Sequence, residues 1–193
     1  MMQQEWYYPS HFDCSACHMP QQNFVLGLNT RQLNRPLGVA GSQENQLDRL
    51  RRFEFFREPP TKPAQQLEAF PDWRDGSGST AKLARAYLDA NCAMCHQPGA
   101  NAVMNIDLRY HAPLDQTGAV NVRHVTTREL RNRPMVIVPG KPDASAMIDR
   151  MNQRGPGQMP RLATNQVDKQ AVEVLRRWIA EMDEEGEGGK PDF

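Results

Sequence analysis

Two short stretches of this chain carry chemistry in their spacing: Cys14-Ser15-Ala16-Cys17-His18 and Cys92-Ala93-Met94-Cys95-His96. Each reads C-x-x-C-H, the pattern of covalent haem attachment: two thiols add across the two vinyl groups of one porphyrin, and the next residue offers an imidazole to the iron. The two copies use all four cysteines of the chain. Zinc is the competing chemistry. Zinc sites bring their C-x-x-C pairs within about 15–20 residues of each other, whereas Cys14 and Cys92 stand 78 apart. A thioredoxin-like dithiol needs neither a second copy nor a histidine after each pair. The expected cofactors are therefore two covalently attached haem c groups. Cys14, Cys17 and His18 would hold one and Cys92, Cys95 and His96 the other, with both histidines as iron ligands.

The rest of the composition suits a chain that leans on a cofactor. Hydrophobic residues make up 39% and mean hydropathy is −0.71, low for a self-sufficient core of 193 residues. Fifteen prolines and thirteen glycines point to a loop-rich chain. Large flat apolar groups would supply the missing core and stabilise the fold by binding to it. Formal charge is zero overall but uneven. Residues 76–180 carry fourteen Lys/Arg against eight Asp/Glu, and residues 181–193 carry one against six. No basic block is dense enough for nucleic acid, and no run reaches the length of a transmembrane helix.

Periodicity places the elements that must position the motifs. The first motif should sit on a short helical turn, followed by a loop at Phe24-Val25-Leu26-Gly27-Leu28 covering the haem edge. Gln43 to Phe56 fits one amphipathic helix through Leu47, Leu50, Phe53, Phe55 and Phe56, stopped by Pro59-Pro60. Residues 57–79 read as a linker. Thr80 to Asn91 should be helical, with Leu83, Tyr87 and Ala90 on one face, running straight into the second motif. Asp143 is a candidate N-cap for a helix from Ala144 to Met151. Asn165 to Met182 is the strongest helix, with Val167, Ala171, Val174, Trp178 and Met182 at three- and four-residue intervals. The expected architecture is all-α. A first haem-binding module over 1–75, loop-rich and mainly helical, would precede a second haem domain over 76–182 and an acidic, Gly-rich, disordered tail over 183–193.

A helix into C-x-x-C-H, a Gly155-Pro156-Gly157-Gln158-Met159-Pro160 loop and a closing amphipathic helix resemble, over residues 78–182, a small monohaem cytochrome c domain. The resemblance implies a cytochrome c-like helical fold, with Met159 as second axial ligand opposite His96. His/Met ligation raises the potential and suits electron transfer. Met147 and Met151 lie one turn apart and read as core.

The first motif has no such partner. Between Phe24 and Asp75 there is no His, Met or Cys. Met19 and His11 are too close in sequence to His18 to reach the other face of the iron easily. The further candidates are Met104, His111, His124 and Met135, with the two histidines equally readable as surface loop residues. A ligand from elsewhere in the chain, one from sequence preceding residue 1, and an open site all remain.

A longer resemblance spans residues 8–182. Tyr8-Pro9-Ser10, Val25-Leu26-Gly27, Gln32-Leu33-Asn34-Arg35, Asn45-Gln46-Leu47, the run Ala84 to Cys92, Asp107-Leu108-Arg109 and Val138-Pro139-Gly140 are similar to a family of uncharacterised bacterial dihaem c-type cytochromes. Some of its members are joined to quinoprotein sugar-dehydrogenase-like domains. The resemblance implies a class and assigns no reaction.

The leading expectation is a periplasmic dihaem cytochrome that relays single electrons between redox partner proteins, with a periplasmic dehydrogenase as candidate donor. The +6 stretch would steer docking to an acidic partner in a salt-dependent way. The alternative is a dihaem peroxidase-like enzyme with an open first haem, where His111 or His124 would serve as acid/base. The electron carrier is favoured. Residues 1–13 contain no apolar h-region, yet covalent haem attachment belongs outside the cytoplasm, so a signal and further sequence are expected before residue 1.

Overall fold

Helix α4, Thr80–Asn91, forms over the residues the sequence predicts. Ser79 caps it by accepting the Lys82 N–H at 3.3 Å, which satisfies one of the free donors of the first turn. Its far end leads into Cys92, whose N–H still bonds the Leu88 carbonyl. The computed structural model describes residues 6–20, 24–38, 43–73, 78–100, 104–124, 133–162 and 164–183. The other helices are α1 (His11–Ser15), α2 (Thr30–Leu33), α3 (Gln46–Arg52), α5 (Ala146–Asn152) and α6 (Lys169–Ala180), with 3₁₀ turns at Ala64–Gln66, Leu114–Gln116 and Pro142–Ala144. Among the described residues every regular element is helical, consistent with the all-α expectation. Extended pairing is confined to isolated bridges such as Val120 with Ile137. No described helix is long and apolar enough to cross a membrane.

The chain divides into two compact units, one of residues 1–26 with 78–193 and one of residues 27–77. This differs from the expected boundary between 75 and 76. The first motif groups with the second, and only the middle segment separates off.

In the larger unit α4 and α6 pack against each other, and α5 packs on α6. Trp178, Leu175 and Ile179 of α6 and Leu88 of α4 are buried, with Met147 and Met151 of α5 also in the core as expected. Thr80 Oγ1 donates to Glu181 at 3.1 Å, tying the start of α4 to the end of α6. The buried face of α4 is Ala81, Ala84, Arg85, Ala86 and Leu88. Leu83, Tyr87 and Ala90, the expected face, are only half-buried. Arg85 is buried among backbone carbonyls. It donates to those of Arg109, Tyr110 and Ala112, and burial pulls its guanidinium down to about 10.

Two further helices differ from expectation. Asp143 does not cap α5; it lies in the preceding 3₁₀ turn and pairs with Arg176 at 2.7 Å. Ser145 occupies the N-cap position, and its hydroxyl serves the loop instead, accepting from Val138 N and donating to the Lys141 carbonyl. Helix α6 begins at Lys169 because the Asp168 carboxylate accepts the Ala171 N–H at 3.0 Å, leaving Val167 outside it.

In the smaller unit α3 is half the expected length. Its chain turns at Glu54, which has φ +57, so Phe53, Phe55 and Phe56 fall beyond the helix. Phe53 lies instead under the guanidinium groups of Arg49 and Arg52, 5.6 and 4.5 Å from the ring centre. The described part of the expected linker is not loose. The Asn34 side-chain amide donates to the carbonyls of Ala64, Leu67 and Glu68, and Ala64 is fully buried. One buried amide thus fastens residues 64–68 to the end of α2. Residues 184–193 of the expected tail lie outside the described residues.

Candidate functional site

The two C-x-x-C-H motifs fold into the same turn. In the first, Cys17 N–H and His18 N–H both donate to the Cys14 carbonyl, at 3.2 and 2.9 Å. In the second, Cys95 N–H and His96 N–H donate to the Cys92 carbonyl, at 3.0 and 2.9 Å. Each turn continues a helix, α1 or α4.

Helix α1 is only five residues long and depends on its cap. Ser10 and Asp13 form a capping box, and Tyr7 Oη donates to Asp13 Oδ2 at 2.7 Å. The hydrogen bonds from Ser10 and Tyr7 hold the Asp13 carboxyl below the ordinary aspartate range, with Arg161 adding a weaker effect of the same sign.

His18 is exposed, and its Nδ1 meets the Phe24 carbonyl at 2.7 Å. That bond leaves Nε2 as the nitrogen available to a metal, the usual arrangement for an imidazole ligand. The Phe24 N–H returns to the Met19 carbonyl at 3.0 Å. Phe24 adopts φ +62, a conformation that costs a residue with a β-carbon about 1–2 kcal/mol.

His96 is half-buried, and its backbone is fixed by Leu108 N–H donating to its carbonyl at 2.9 Å. The His96 Nδ1 is buried without a hydrogen-bond partner. Burial, and then the charge of Arg150, lower its pKa, so the ring is neutral at pH 7. Burial pushes the Cys92 thiol up to about 12. Cys95 also rises to about 12, through burial and its contact with Cys17. Both are protonated thiols at neutral pH.

Arg150 relates His96 to the Met159 loop. Its charge acts on the His96 ring, its carbonyl accepts the Met159 N–H at 2.8 Å, and its guanidinium donates to the Gly157 carbonyl at 3.2 Å. Met159 itself is half-buried. The loop is closed by Gln158, whose side chain donates to the carbonyls of Pro160 and Thr164 and accepts the Gly155 N–H.

The sequence candidates for the position opposite His18 are scattered. His124 is buried, with Nε2 against the Arg133 carbonyl, and His111 is exposed, with its ring edge-on to Tyr110. Met104 and Met135 are half-buried, Met19 is buried, and His11 is exposed on α1.

The residues present fit covalently attached haem. Each motif supplies two thiols and an imidazole on one turn; the His18 Nδ1 is held by a backbone carbonyl, which leaves Nε2 for a metal, whereas the His96 Nδ1 is buried without the partner such a ligand has. The flanks of the first motif also leave apolar surface open, with Tyr8 and Phe12 each 82% exposed and Phe24 60%. Among the described residues no three of His, Cys, Asp or Glu converge as ligands for a bare metal ion. Sequence reasoning missed two contributors: the Phe24 carbonyl, which no residue pattern announces, and Arg161, whose charge reaches both Asp13 and Cys95.

No protein-family model matches this chain, and neither a curated protein nor a solved structure is significantly similar to it.

Proposed function

We propose that this chain is an extracytoplasmic dihaem c-type cytochrome that relays single electrons between redox partner proteins. The observation that carries the reading is the identical closure of the two C-x-x-C-H turns, each with an imidazole set by its surroundings to be neutral or singly available. Cys14 and Cys17 would hold one haem and Cys92 and Cys95 the other, with His18 and His96 as iron ligands. When bound, each haem supplies one reversible electron at its iron.

The chain's residues do the rest. Helix α1 and its Ser10–Asp13 box fix the first attachment turn, and the Phe24 carbonyl fixes the ring plane and tautomer of His18. Leu108 holds the His96 backbone, and Arg150 ties the Met159 loop to the same neighbourhood. The packing of α4 on α6, with a methionine loop before the closing helix, supports a cytochrome c-like arrangement and Met159 as the second ligand opposite His96. A thioether sulfur on that iron would raise its potential and block exogenous ligands. Attachment through thioethers places maturation outside the cytoplasm, which supports a periplasmic setting.

The peroxidase-like alternative has less behind it. His124, one of its two candidate acid/base residues, is engaged with the Arg133 carbonyl in the interior. Potentiometric titration with carbon monoxide challenge distinguishes the two. The relay gives two reversible one-electron steps and no carbon monoxide spectrum; a carbon monoxide-binding haem that turns over peroxide would replace it with the enzyme.

A further inference from the structure

Cys17 and Cys95 belong to different motifs, 78 residues apart, yet the Cys95 thiol donates to Cys17 Sγ at 3.1 Å. Neither belongs to a disulfide. We propose that these two thiols are the site of a reversible disulfide that joins the motifs before haem is attached. While it stands, neither motif has the thiol pair that haem needs. The bond itself stands on the thiol contact; its bearing on haem rests on the function proposed above.

The geometry favours this pair over the pairs within each motif. Carbon atoms, smaller than sulfur, rest against each other at about 3.5–4.0 Å, so 3.1 Å is close for two sulfurs. A disulfide needs them at about 2.05 Å. The side-chain hydrogen bond of Cys95 is with Cys17, whereas its own motif partner Cys92 acts on it only through charge. Cys17 and Cys95 are both half-buried, so neither is sealed from an external oxidant.

Two observations away from the sulfurs place the motifs in one neighbourhood. The Arg161 charge acts on Asp13, inside the turn of α1, and also on Cys95. A cavity of about 310 Å³ is lined by Trp6 and Tyr7, just before the first motif, and by Gly155, Gln158, Arg161 and Leu162, from the loop that carries Met159. All these residues belong to the same compact unit. The segment bearing the first motif therefore packs on the domain of the second.

The chemistry is thiol–disulfide exchange. Cys17 and Cys95 give up two protons and two electrons as their S–S bond forms. A small disulfide of the glutathione class accepts them and is cleaved to two thiols, through a mixed disulfide. Oxidising extracytoplasmic compartments favour that direction. The bond and the haems exclude each other, since vinyl addition uses the thiol proton and two thioether sulfurs do not sit this close. Cys14 and Cys92 would be left single, so one bond disables both motifs and its reduction restores them. It would also close a loop across the 78-residue separation, which stabilises the folded chain until haem takes over.

The test is peptide mapping of the full chain, produced where no haem-attachment pathway acts. The chain is equilibrated in an oxidising glutathione buffer and its remaining thiols are alkylated. The expected result is a Cys17–Cys95 cross-link with Cys14 and Cys92 alkylated. Cys14→Ala/Cys92→Ala, which keeps only this pair, should melt at a higher temperature oxidised than reduced. Mapping the wild-type chain needs no variant, so it decides the matter even if that variant fails to fold. Cross-links within the motifs, or four alkylated cysteines, would overturn the disulfide and leave the dihaem reading standing. A Cys17–Cys95 cross-link in a chain that gains no covalent haem when exported with an attachment pathway would uphold the disulfide and overturn the haem reading.

Discussion

The Nδ1 of His18 lies 2.7 Å from the carbonyl of Phe24, six residues on, and Phe24 holds that carbonyl in place from the left-handed region at φ +62. The bond selects the ring nitrogen left for a metal, and the backbone conformation that makes it is one glycine adopts freely. Phe24→Gly should therefore keep the bond and raise stability by roughly 0.5–1 kcal/mol, since the phenyl group is largely exposed and little packing is lost. Phe24→Pro cannot reach that φ and also loses the N–H to the Met19 carbonyl, so it should cost about 2–3 kcal/mol. Thermal unfolding of the two variants checks this; equal melting temperatures would show that the turn does not depend on Phe24.

On the proposed reading, Met159→Ala should convert the haem held by Cys92 and Cys95 from low-spin to high-spin and remove the spectroscopic signature of a methionine ligand, while the other haem is unchanged. The potential of the converted haem should fall by the amount that separates His/Met from His-only ligation, a large effect on the scale of axial-ligand changes. Proton resonances of a haem-bound methionine methyl group provide the readout. Their survival in the variant would transfer the ligand role to another residue.

Gly118 is a steric requirement of the second site. With φ +65, a β-carbon there would lie 2.6 Å from the Asn105 carbonyl oxygen. The segment it would push includes Asp107, bonded to the Thr117 carbonyl, and Leu108, bonded to the carbonyl of His96. Gly118→Ala should cost about 1–3 kcal/mol and shift the spectrum of the second haem more than the first. Denaturant unfolding followed at the Soret band measures both. An unchanged midpoint would mean the Asn105 backbone yields freely.

The cap of α1 sets a pH dependence. Ser10 and then Tyr7 stabilise the ionised Asp13, so its folded pKa lies below the unfolded value of about 3.9. Its contribution is fully present above the unfolded value and is lost as pH falls through the folded one. Amide exchange of residues 11–15, compared with exchange elsewhere in the chain, should accelerate selectively in that acid range, and Asp13→Asn should abolish the acid dependence. A variant that keeps the wild-type acid profile would remove Asp13 from the account.

What the sequence displays and what it hides divide along physical lines. Local chemistry is legible. The C-x-x-C-H spacing specifies its own turn, Ser79 marks the start of α4, and the three- and four-residue apolar spacing through Ala171, Val174 and Trp178 marks α6. Non-local contacts are not. Nothing near Asn34 says that its amide will gather three carbonyls some 30 residues away, so residues 64–68 read as linker when they are packed. Nothing near Arg85 says that the loop at 109–112 will return to offer it carbonyls in the interior. The aromatic residues after Arg52 extend a helical pattern that Glu54 ends with a turn. The meeting of Cys17 and Cys95 is the same kind of event, since sequence distance says nothing of it and only the packing of the N-terminal segment reveals it.

The central claim is that both motifs carry covalent haem. Intact mass measured under denaturing conditions tests it most directly, on the chain exported to an extracytoplasmic compartment with a haem-attachment pathway. The account predicts a mass equal to the polypeptide plus two haems, falling by one haem in Cys14→Ala/Cys17→Ala and by one in Cys92→Ala/Cys95→Ala. A wild-type mass equal to the bare polypeptide, or to the polypeptide plus a single haem that survives both double variants, would contradict it.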